Sequence, residues 1–393
     1  MVMNNHFPED LLLQILLWLP VISLSRFKCV CKSWYAFISD QTFIYKHLLH
    51  TQSPSNRNKN TLLLVKRRDK ITTKLVVSTL SYETLQVSLA QVPLPSSYSG
   101  IIDKRARMYI VGSCNGLVCL HDSGSWNNTL LWNPATKETK VVPISNMPLL
   151  SADYDVVSLN GIGFGFDAKT HDYKIISHFH LYEPDPYLEQ YSPIITYRSE
   201  VYSLRADSWR EIDSVPCHIW DSTRGMRTNQ NGMGTWWASG DNGINWEGIL
   251  SFDITKEVFL ETPLPDVSDI VYPFDKYLEY FLLNELVALA ISWKVIGEEG
   301  SRMWWDIWLL HEYGVTESWT KLFRVGPLTG VFGPLEYWMN DIIFWEKDDG
   351  QLALYDPSTK EMTNLQIEGE SLSFQVITYM ESLVSISGAN DIV

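Results

Sequence analysis

The chain opens with a strongly apolar stretch, residues 11–19, in which Gln14 is the single polar residue. Pro8 suits the first position of a helix, and Pro20 is expected to end it. A helix that lies on its own domain normally keeps one face polar for water. The pattern therefore predicts a short helix with one face packed on this chain and another face packed on a partner.

A second apolar pattern with helical spacing runs from Phe27 to Ile38 and predicts a second helix. Asp40 or Thr42 is suited to cap a third helix from Phe43 to Leu48. The segment from Thr51 to Asn60 is polar and has no apolar period, so we expect a linker there.

Beyond residue 60 the pattern changes to short apolar runs that are interrupted by glycine and asparagine. Several segments share an aromatic residue, an Asn or Asp, a turn and a closing apolar run, which is the pattern of a β-hairpin. The three strongest examples, which also share Thr-Lys-Glu in the turn, are 132–143, 252–265 and 355–367, and weaker ones are 80–95, 202–212 and 309–325.

Six hairpins at a spacing of roughly 45 to 70 residues indicate a β-propeller of about six blades, close to the kelch type. Residues 373–386 form a further strand that would complete the first blade and close the ring. A β-sandwich is the alternative, although it does not need a periodic hairpin. We therefore expect a mainly β protein with an N-terminal α part: a helical domain at 1–50, a linker at 51–60 and a propeller at 61–393.

The N-terminal segments FPEDLLLQILLWLP, SLSRFKCVCKSW and FISDQTFIYKHL resemble the plant F-box motif in its usual order and spacing. The resemblance implies a substrate receptor of an SCF-type ubiquitin ligase, in which the F-box docks on a Skp-family adaptor and, through it, on a cullin–RING ligase. Three residues depart from the usual motif: Phe7, Gln14 and Trp18. Trp18 is the least expected of them, and it would either strengthen or perturb docking.

The residues predicted to contact the adaptor are the apolar positions of the first helix and several that follow it. Some of them must instead form the core of the F-box itself, as we expect for Trp34. An aspartate at Leu12 or Leu16 would abolish docking if that residue faces the adaptor, since a buried leucine contributes about 1.5–3 kcal/mol. The predicted set is Pro8, Leu11, Leu12, Ile15, Leu16, Leu19, Pro20, Val21, Leu24, Val30 and Lys32, with Cys31 and Trp34 in support.

The WNPATKE and GFGFD elements, at 132–138 and 163–167, resemble the F-box-associated domain of plant F-box proteins. Together with the F-box they look most similar to S-locus F-box proteins, the pollen determinants of self-incompatibility. That resemblance implies recognition of basic secreted ribonucleases (S-RNases). Two alternatives stay open: a receptor for an endogenous signalling or defence protein, and a propeller enzyme or sugar-binding protein.

The formal net charge of −15 is unevenly distributed. Residues 1–108 carry 14 Lys and Arg against 6 Asp and Glu, whereas residues 109–393 carry 17 against 40, a balance of −23. An acidic body repels nucleic acid and anionic membranes and attracts a basic protein. The alternative is that the acidity keeps a large β domain soluble.

The remaining signals place the protein in the cytoplasm and argue against catalysis. No apolar run reaches the roughly 18 residues that a membrane span needs. Five cysteines, an odd number without zinc-ligand spacing, suit a reducing compartment. The sequence contains no P-loop, G-x-S-x-G or HExxH motif. We therefore expect no cofactor, no metal and no catalytic residue.

Two motifs resemble functional sites without meeting the requirements for one. The glycines of GIGFGF, at 161–166, lie in a strand pattern, so close packing near the propeller axis is favoured over a dinucleotide loop. His178 and His180 share one strand face and could hold a metal. No third ligand has matching spacing, which favours ordinary strand residues.

Three long irregular segments, 180–193, 220–234 and 265–280, are the candidate substrate-binding loops, because propeller ligands generally meet loops. Each contains aromatic residues, and two add clustered acids that would suit a basic partner. A solvated loop surface without a binding role is the alternative. The acidic candidates are Glu183, Asp185, Glu189, Asp266, Asp269, Asp275 and Glu279.

Overall fold

Helices form the N-terminal part of the chain, and six antiparallel sheets form the rest. The computed structural model describes residues 9–95, 108–122, 128–145, 156–182, 195–219, 227–228, 232–240, 247–266, 277–283, 286–294 and 302–387. We refer to residues 9–60 as the helical domain. Its helices are α1 (Glu9–Leu17), α2 (Val21–Phe27), α3 (Lys32–Ile38), α4 (Gln41–Gln52) and α5 (Arg57–Asn60).

The predicted helix from Phe27 to Ile38 is wrong, because the chain forms two helices across this segment. α2 ends at Phe27, and Cys31 has extended backbone angles (φ −160°, ψ 166°) that no helix can continue. Val30 is exposed rather than part of a buried stripe. The helical spacing arose because residues from two consecutive helices face one common core.

Asp40 caps α4 as the sequence predicted, because its Oδ1 accepts a hydrogen bond of 3.1 Å from the backbone N–H of Phe43. The segment expected to be a linker, 51–60, includes the end of α4 and all of α5. Thr51 and Asn56 are buried within it. The segment therefore packs as part of the helical domain, and the proposed domain boundaries stay predictions.

The strands form six sheets, which we number as blades along the chain. Blade 1 contains β1 (Thr61–Arg68), β2 (Leu75–Ser81), β3 (Val87–Gln91) and the last strand, β25 (Gln375–Met380). Blades 2 and 3 contain β4 (Met108–Cys114), β5 (Leu117–Asp122), β6 (Thr129–Asn133), β7 (Glu138–Val141), β8 (Val156–Asp167), β9 (Asp172–Tyr182), β10 (Ile195–Ser203) and β11 (Ser208–Ile212).

Blades 4 to 6 continue the same antiparallel order, with a short additional strand in blade 4. Their strands are β12 (Cys217–Ile219), β13 (Arg227–Thr228), β14 (Met233–Gly240), β15 (Glu247–Asp253), β16 (Val258–Pro263), β17 (Tyr277–Leu283), β18 (Leu286–Lys294), β19 (Met303–Leu310), β20 (Trp319–Leu328), β21 (Val331–Tyr337), β22 (Ile343–Lys347), β23 (Gln351–Asp356) and β24 (Glu361–Glu368).

The six blades close into a ring. The first strands of neighbouring blades contact each other, as β25 with β4, β4 with β8, and β17 with β21. β25 pairs antiparallel with β1, from Thr61 opposite Met380 to Lys66 opposite Gln375. The predictions of six blades and of closure by residues 373–386 are therefore confirmed, and the β-sandwich alternative is wrong.

The repeated hairpins join the third and fourth strands of the blades, and one local mechanism forms the three strongest. Asn133, Asp253 and Asp356 each accept two backbone N–H groups from the residues two and three positions later. The residue four positions later has positive φ in every case (51° to 64° across these and similar turns). Short Asn and Asp side chains favour this turn because they bond to their own backbone.

The apolar core lies between the blades rather than along the axis. Trp132, Trp236, Trp305 and Trp345 are each at most 2% exposed and pack in clusters that join neighbouring sheets. The GIGFGF segment lies in β8, the innermost strand of blade 3, where its backbone packs closely on a neighbouring blade. A Cβ atom on Gly161 would lie 2.5 Å from Ile219 Cδ1 of blade 4.

The helical domain covers one end of the propeller. Because strands alternate in direction, the turns between the first and second and between the third and fourth strands share this end. Gln52 Nε2 donates to Asn115 Oδ1 (2.9 Å), Tyr45 contacts the His171 ring, and Ala135 packs on the helical core. We call this the helical end and the opposite one the open end.

Candidate protein-interaction surfaces

The helical domain has a small core made from one face of each helix. Leu16, Val21, Leu24 and Ile38 are at most 3% exposed and pack on Phe43 and Ile44 of α4. His47 Nε2 lies 3.0 Å from the carbonyl oxygen of Leu19, which ties α4 to the end of α1. Burial lowers the pKa of His47 below its usual value, although the Leu19 carbonyl opposes that shift.

The opposite side of α1 and α2 leaves large apolar side chains in solvent. Leu11 and Ile15, one turn apart on α1, are 47% and 50% exposed, and Trp18 after α1 and Ile22 on α2 are 70% and 55% exposed. We call these four residues the apolar stripe. The Trp18 ring meets the edge of His50 of α4 at 4.5 Å. Exposed large apolar side chains close together in the chain make this stripe a candidate protein-interaction surface.

The open end holds the ends of the second and third strands of blades 3, 4 and 5, which border residues 183–194, 241–246 and 295–301. Asp266 is exposed at this end, after β16. Glu279, in contrast, lies within β17 and is partly buried, with its Cγ 3.3 Å from the Cβ position of Gly333 in blade 6. The expected loop 265–280 therefore ends before β17. The acidic candidates outside the described residues are Glu183, Asp185, Glu189, Asp269 and Asp275.

His178 and His180 lie buried between blades 3 and 4, near the open end. His178 Nδ1 is 2.9 Å from Ser199 Oγ, and its Nε2 is 3.3 Å from the carbonyl oxygen of Cys217. The structure adds His218, whose ring centre is 4.8 Å from that of His180. Burial is the main cause that lowers the pKa of His178 to about 4 and that of His180 to about 3. Both are therefore neutral at pH 7.

The described part of the chain contains neither a metal-binding cluster nor a membrane-spanning helix. Within the described ranges, no three His, Cys, Asp or Glu side chains are arranged to hold a metal ion, so His178, His180 and His218 do not form such a site there. In the same part of the chain, no helix has the length and apolar character needed to cross a membrane.

Family comparisons agree with both the helical domain and the propeller. The F-box domain matches residues 5–46, and the F-box associated beta propeller domain matches residues 68–386, which is most of the chain. The chain belongs to the F-box proteins with an F-box associated propeller. The helical domain is thus the F-box, and the hairpin repeats belong to the associated propeller.

Several curated relatives have the same organisation along most of their length. The F-box/kelch-repeat protein At3g23880 of Arabidopsis thaliana is 30% identical over 90% of this chain and 88% of its own. The F-box protein CPR1 of the same plant is 24% identical over 96% and 88%. The F-box protein At3g07870 is 26% identical over 82% and 73%. These proteins are relatives by sequence over most of this chain.

The predicted adaptor contacts fall into three groups by exposure. Leu12 and Leu19 are partly buried against the F-box core. Leu16, Val21 and Leu24 are buried in that core, so a partner could reach them only if the F-box rearranged. Pro8 lies outside the described residues. The exposed members are Leu11, Ile15, Pro20, Val30 and Lys32, and the contact of the whole set with an adaptor stays a prediction.

The predicted contacts leave out five large exposed apolar residues of the helical domain: Trp18, Ile22, Tyr35, Tyr45 and Leu49. Helical spacing could not identify Trp18 and Ile22, because α1 ends at Leu17 and α2 begins at Val21. Trp18 was noticed as a departure from the usual motif but was not assigned a contact. The exposure of Val30 and Tyr35 depends on the break between α2 and α3, which the spacing did not predict.

Proposed function

We propose that this protein is the substrate-recognition subunit of an SCF-type ubiquitin ligase. The F-box domain and the F-box relatives support the role of a substrate adaptor. The observation that carries the proposal is the apolar stripe on the F-box, Leu11, Ile15, Trp18 and Ile22, which is exposed in the free chain. A Skp-family adaptor is the partner that we assign to this stripe, and it connects the receptor to a cullin–RING ligase.

The receptor contributes proximity rather than chemistry in this proposal. The F-box would hold the protein on the ligase, and the propeller would hold a target protein near the charged ubiquitin carrier. Holding both partners on one chain raises the effective concentration of target lysines at the reacting thioester. We accordingly assign no catalytic residue and no cofactor to this chain, and we place it in the cytoplasm.

Co-purification with a Skp-family adaptor tests this function. Ile15→Asp places a charge in the middle of the stripe, so we expect it to abolish capture of the adaptor while the protein stays folded. Ile71→Asp is the matched control, because Ile71 is 91% exposed in a propeller turn far from the F-box. The proposal fails if the wild-type chain captures no adaptor, or if the Ile15→Asp variant captures as much as the wild type.

We further propose that the target is a basic protein, held at the open end of the propeller. The balance of −23 over residues 109–393 supports a basic partner through long-range attraction. A basic S-RNase-like ribonuclease is the target class suggested by the motif resemblance to S-locus F-box proteins. An endogenous signalling or defence protein is the alternative target within the same architecture.

Target capture at low and at high salt tests whether the target is a basic protein held by electrostatic attraction. A basic ribonuclease should bind the adaptor-bound receptor at low salt and dissociate near 0.5 M salt, because exposed charges are screened there over about 4 Å. Binding that is unchanged at high salt would contradict the electrostatic argument. Capture of a neutral or acidic protein from pollen-free tissue would favour the endogenous target.

A further inference from the structure

The segment that follows β25, residues 381–387, runs between the F-box and blade 2, and we call it the strap. The amide group of Asn133 holds it at two points. Its Nδ2 donates to the carbonyl oxygens of Ser382 (3.1 Å) and Val384 (2.8 Å). Asn133 is fully buried. Both hydrogens of the amide are therefore used by the strap.

Further contacts fix the strap to blade 2 along its length. Glu138 Oε2 accepts from Ser385 Oγ (2.9 Å) and from the backbone N–H of Ile386 (2.8 Å). Ser382 Oγ donates to the carbonyl oxygen of Asn115 (2.6 Å). A Cβ atom on the neighbouring Gly116 would lie 2.2 Å from Ser382 Oγ, so glycine is required for this approach.

The other side of the strap belongs to the F-box. Leu383 is 2% exposed and packs in the F-box core with Leu16 and Ile44. Ile386 enters a different core, the one between blades 2 and 3. One short segment thus packs on the F-box and on blades 2 and 3, and it adds to side-chain contacts between the F-box and blade 2 such as that of Gln52 with Asn115.

Comparison of equivalent turns shows that blade 2 is chemically different. Asp253 and Asp356 form the same turn in blades 4 and 6 with a carboxylate, which accepts backbone N–H groups as the Asn133 oxygen does. An ionised carboxylate cannot donate a hydrogen bond. An asparagine is therefore unnecessary for the turn but is required for the two bonds to the strap.

We infer that Asn133 is a positioning residue: through the strap it fixes the F-box in one orientation against the propeller. The consequence for ubiquitin transfer rests on the proposed function. If the adaptor binds the F-box and the target binds the open end, the strap sets the distance and angle between them. Loss of the two bonds should leave each domain folded and allow the F-box to move relative to the propeller.

Asn133→Asp tests this inference directly, because it keeps the turn and removes the two donors. Spin labels on Cys29 of the F-box and on a Thr363→Cys residue of blade 6 report the distance between the domains. Cys31 and Cys114 are replaced by serine, while Cys119 and Cys217 are buried and stay unlabelled. We expect the variant to broaden the distance distribution and to accelerate hydrogen exchange of residues 381–387 about tenfold, as expected for losing two hydrogen bonds.

Asp356→Asn is the matched control, since it makes the reverse change in the turn of blade 6, which does not contact the strap. Its distance distribution should equal that of the wild type. An unchanged distribution in Asn133→Asp would overturn the inference. Should Asn133→Asp fail to fold, Leu383→Ala releases the strap from the F-box side. A broadened distance distribution in that variant would support the inference, and an unchanged one would overturn it. Adaptor capture by the wild type is measured separately, so its failure would sink the proposed function and leave the positioning result intact.

Discussion

The F-box and the propeller treat large apolar side chains in opposite ways. In the propeller, Trp236, Trp305 and Trp345 are completely buried, because each sheet has a neighbour on both faces in a closed ring. In the F-box, Ile15 and Trp18 are half exposed or more, because the other helices of this small domain cover only one side of α1. Closure of the ring buries the apolar faces between the blades, whereas the small helical domain leaves apolar side chains of α1 and α2 in solvent.

The largest effect that separates the two regions should come from opening the ring. Deletion of residues 374–393 removes β25, so β1 loses its inner neighbour and buried residues such as Val376, and it also removes the strap with Leu383 of the F-box core. We expect the propeller to lose its cooperative unfolding transition, measured by circular dichroism during heating. A synthetic peptide of residues 374–387 should restore the transition. A truncated chain that unfolds like the wild type would contradict the closure argument.

Two neighbouring residues of α1 test the inner and outer sides of the F-box. Leu16→Ala should lower the free energy of unfolding of the F-box by about 2–5 kcal/mol, since it leaves a cavity in a closed core. Ile15→Ala, one position away and half exposed, should change it by less than about 0.5 kcal/mol. Chemical denaturation measures both, and equal losses would mean that the two sides are not distinct.

Acid should destabilise the propeller. Burial lowers the pKa of His121 and His178 to about 4 and that of His180 to about 3, below the usual 6.5, so the unfolded chain binds more protons. Their stabilising contribution is complete above pH 6.5 and is lost as pH falls toward 4. Burial raises the pKa of Glu200 to about 7, and this contribution grows as pH falls from 7 toward 4.5, which opposes the loss.

The net change between pH 7 and pH 5.5 should be a loss on the order of 2 kcal/mol, because three histidines outweigh one carboxyl group. Denaturation at the two pH values measures it. His178→Asn should reduce the pH dependence, since it removes one of the groups. A propeller that is more stable at pH 5.5 than at pH 7 would contradict the assignment of these histidines as neutral.

Trp18→Ala should have the smallest effect on folding and a clear effect on binding. Trp18 is 70% exposed and contacts the edge of His50, so its loss should change the free energy of unfolding by no more than about 0.5 kcal/mol. Truncation of an interface tryptophan commonly costs about 2 kcal/mol or more of binding. Adaptor affinity measured by calorimetry should therefore fall at least about tenfold, and an unchanged affinity would remove Trp18 from the interface.

The local hairpins were predictable from sequence to a degree that the helices were not. Asn133, Asp253 and Asp356 form their turns with bonds to residues two and three positions away, so the information is contained in a few consecutive residues. The helix predicted across Cys31 was wrong because apolar spacing reports a common core and cannot distinguish one helix from two. The candidate site shows a related limit: its apolar residues were visible in the sequence, but which of them lie in solvent was not.

The sequence by itself determined the F-box, the six hairpins and the acidic character of the body, since each depends on composition or on residues close together in the chain. Tertiary structure decided which side of α1 is covered, that His218 joins His178 and His180, and that residues 381–387 pass between two domains. These features bring together residues separated by tens to hundreds of positions, such as Asn133 and Val384. Their physical cause is the closure of the ring, which local patterns do not contain.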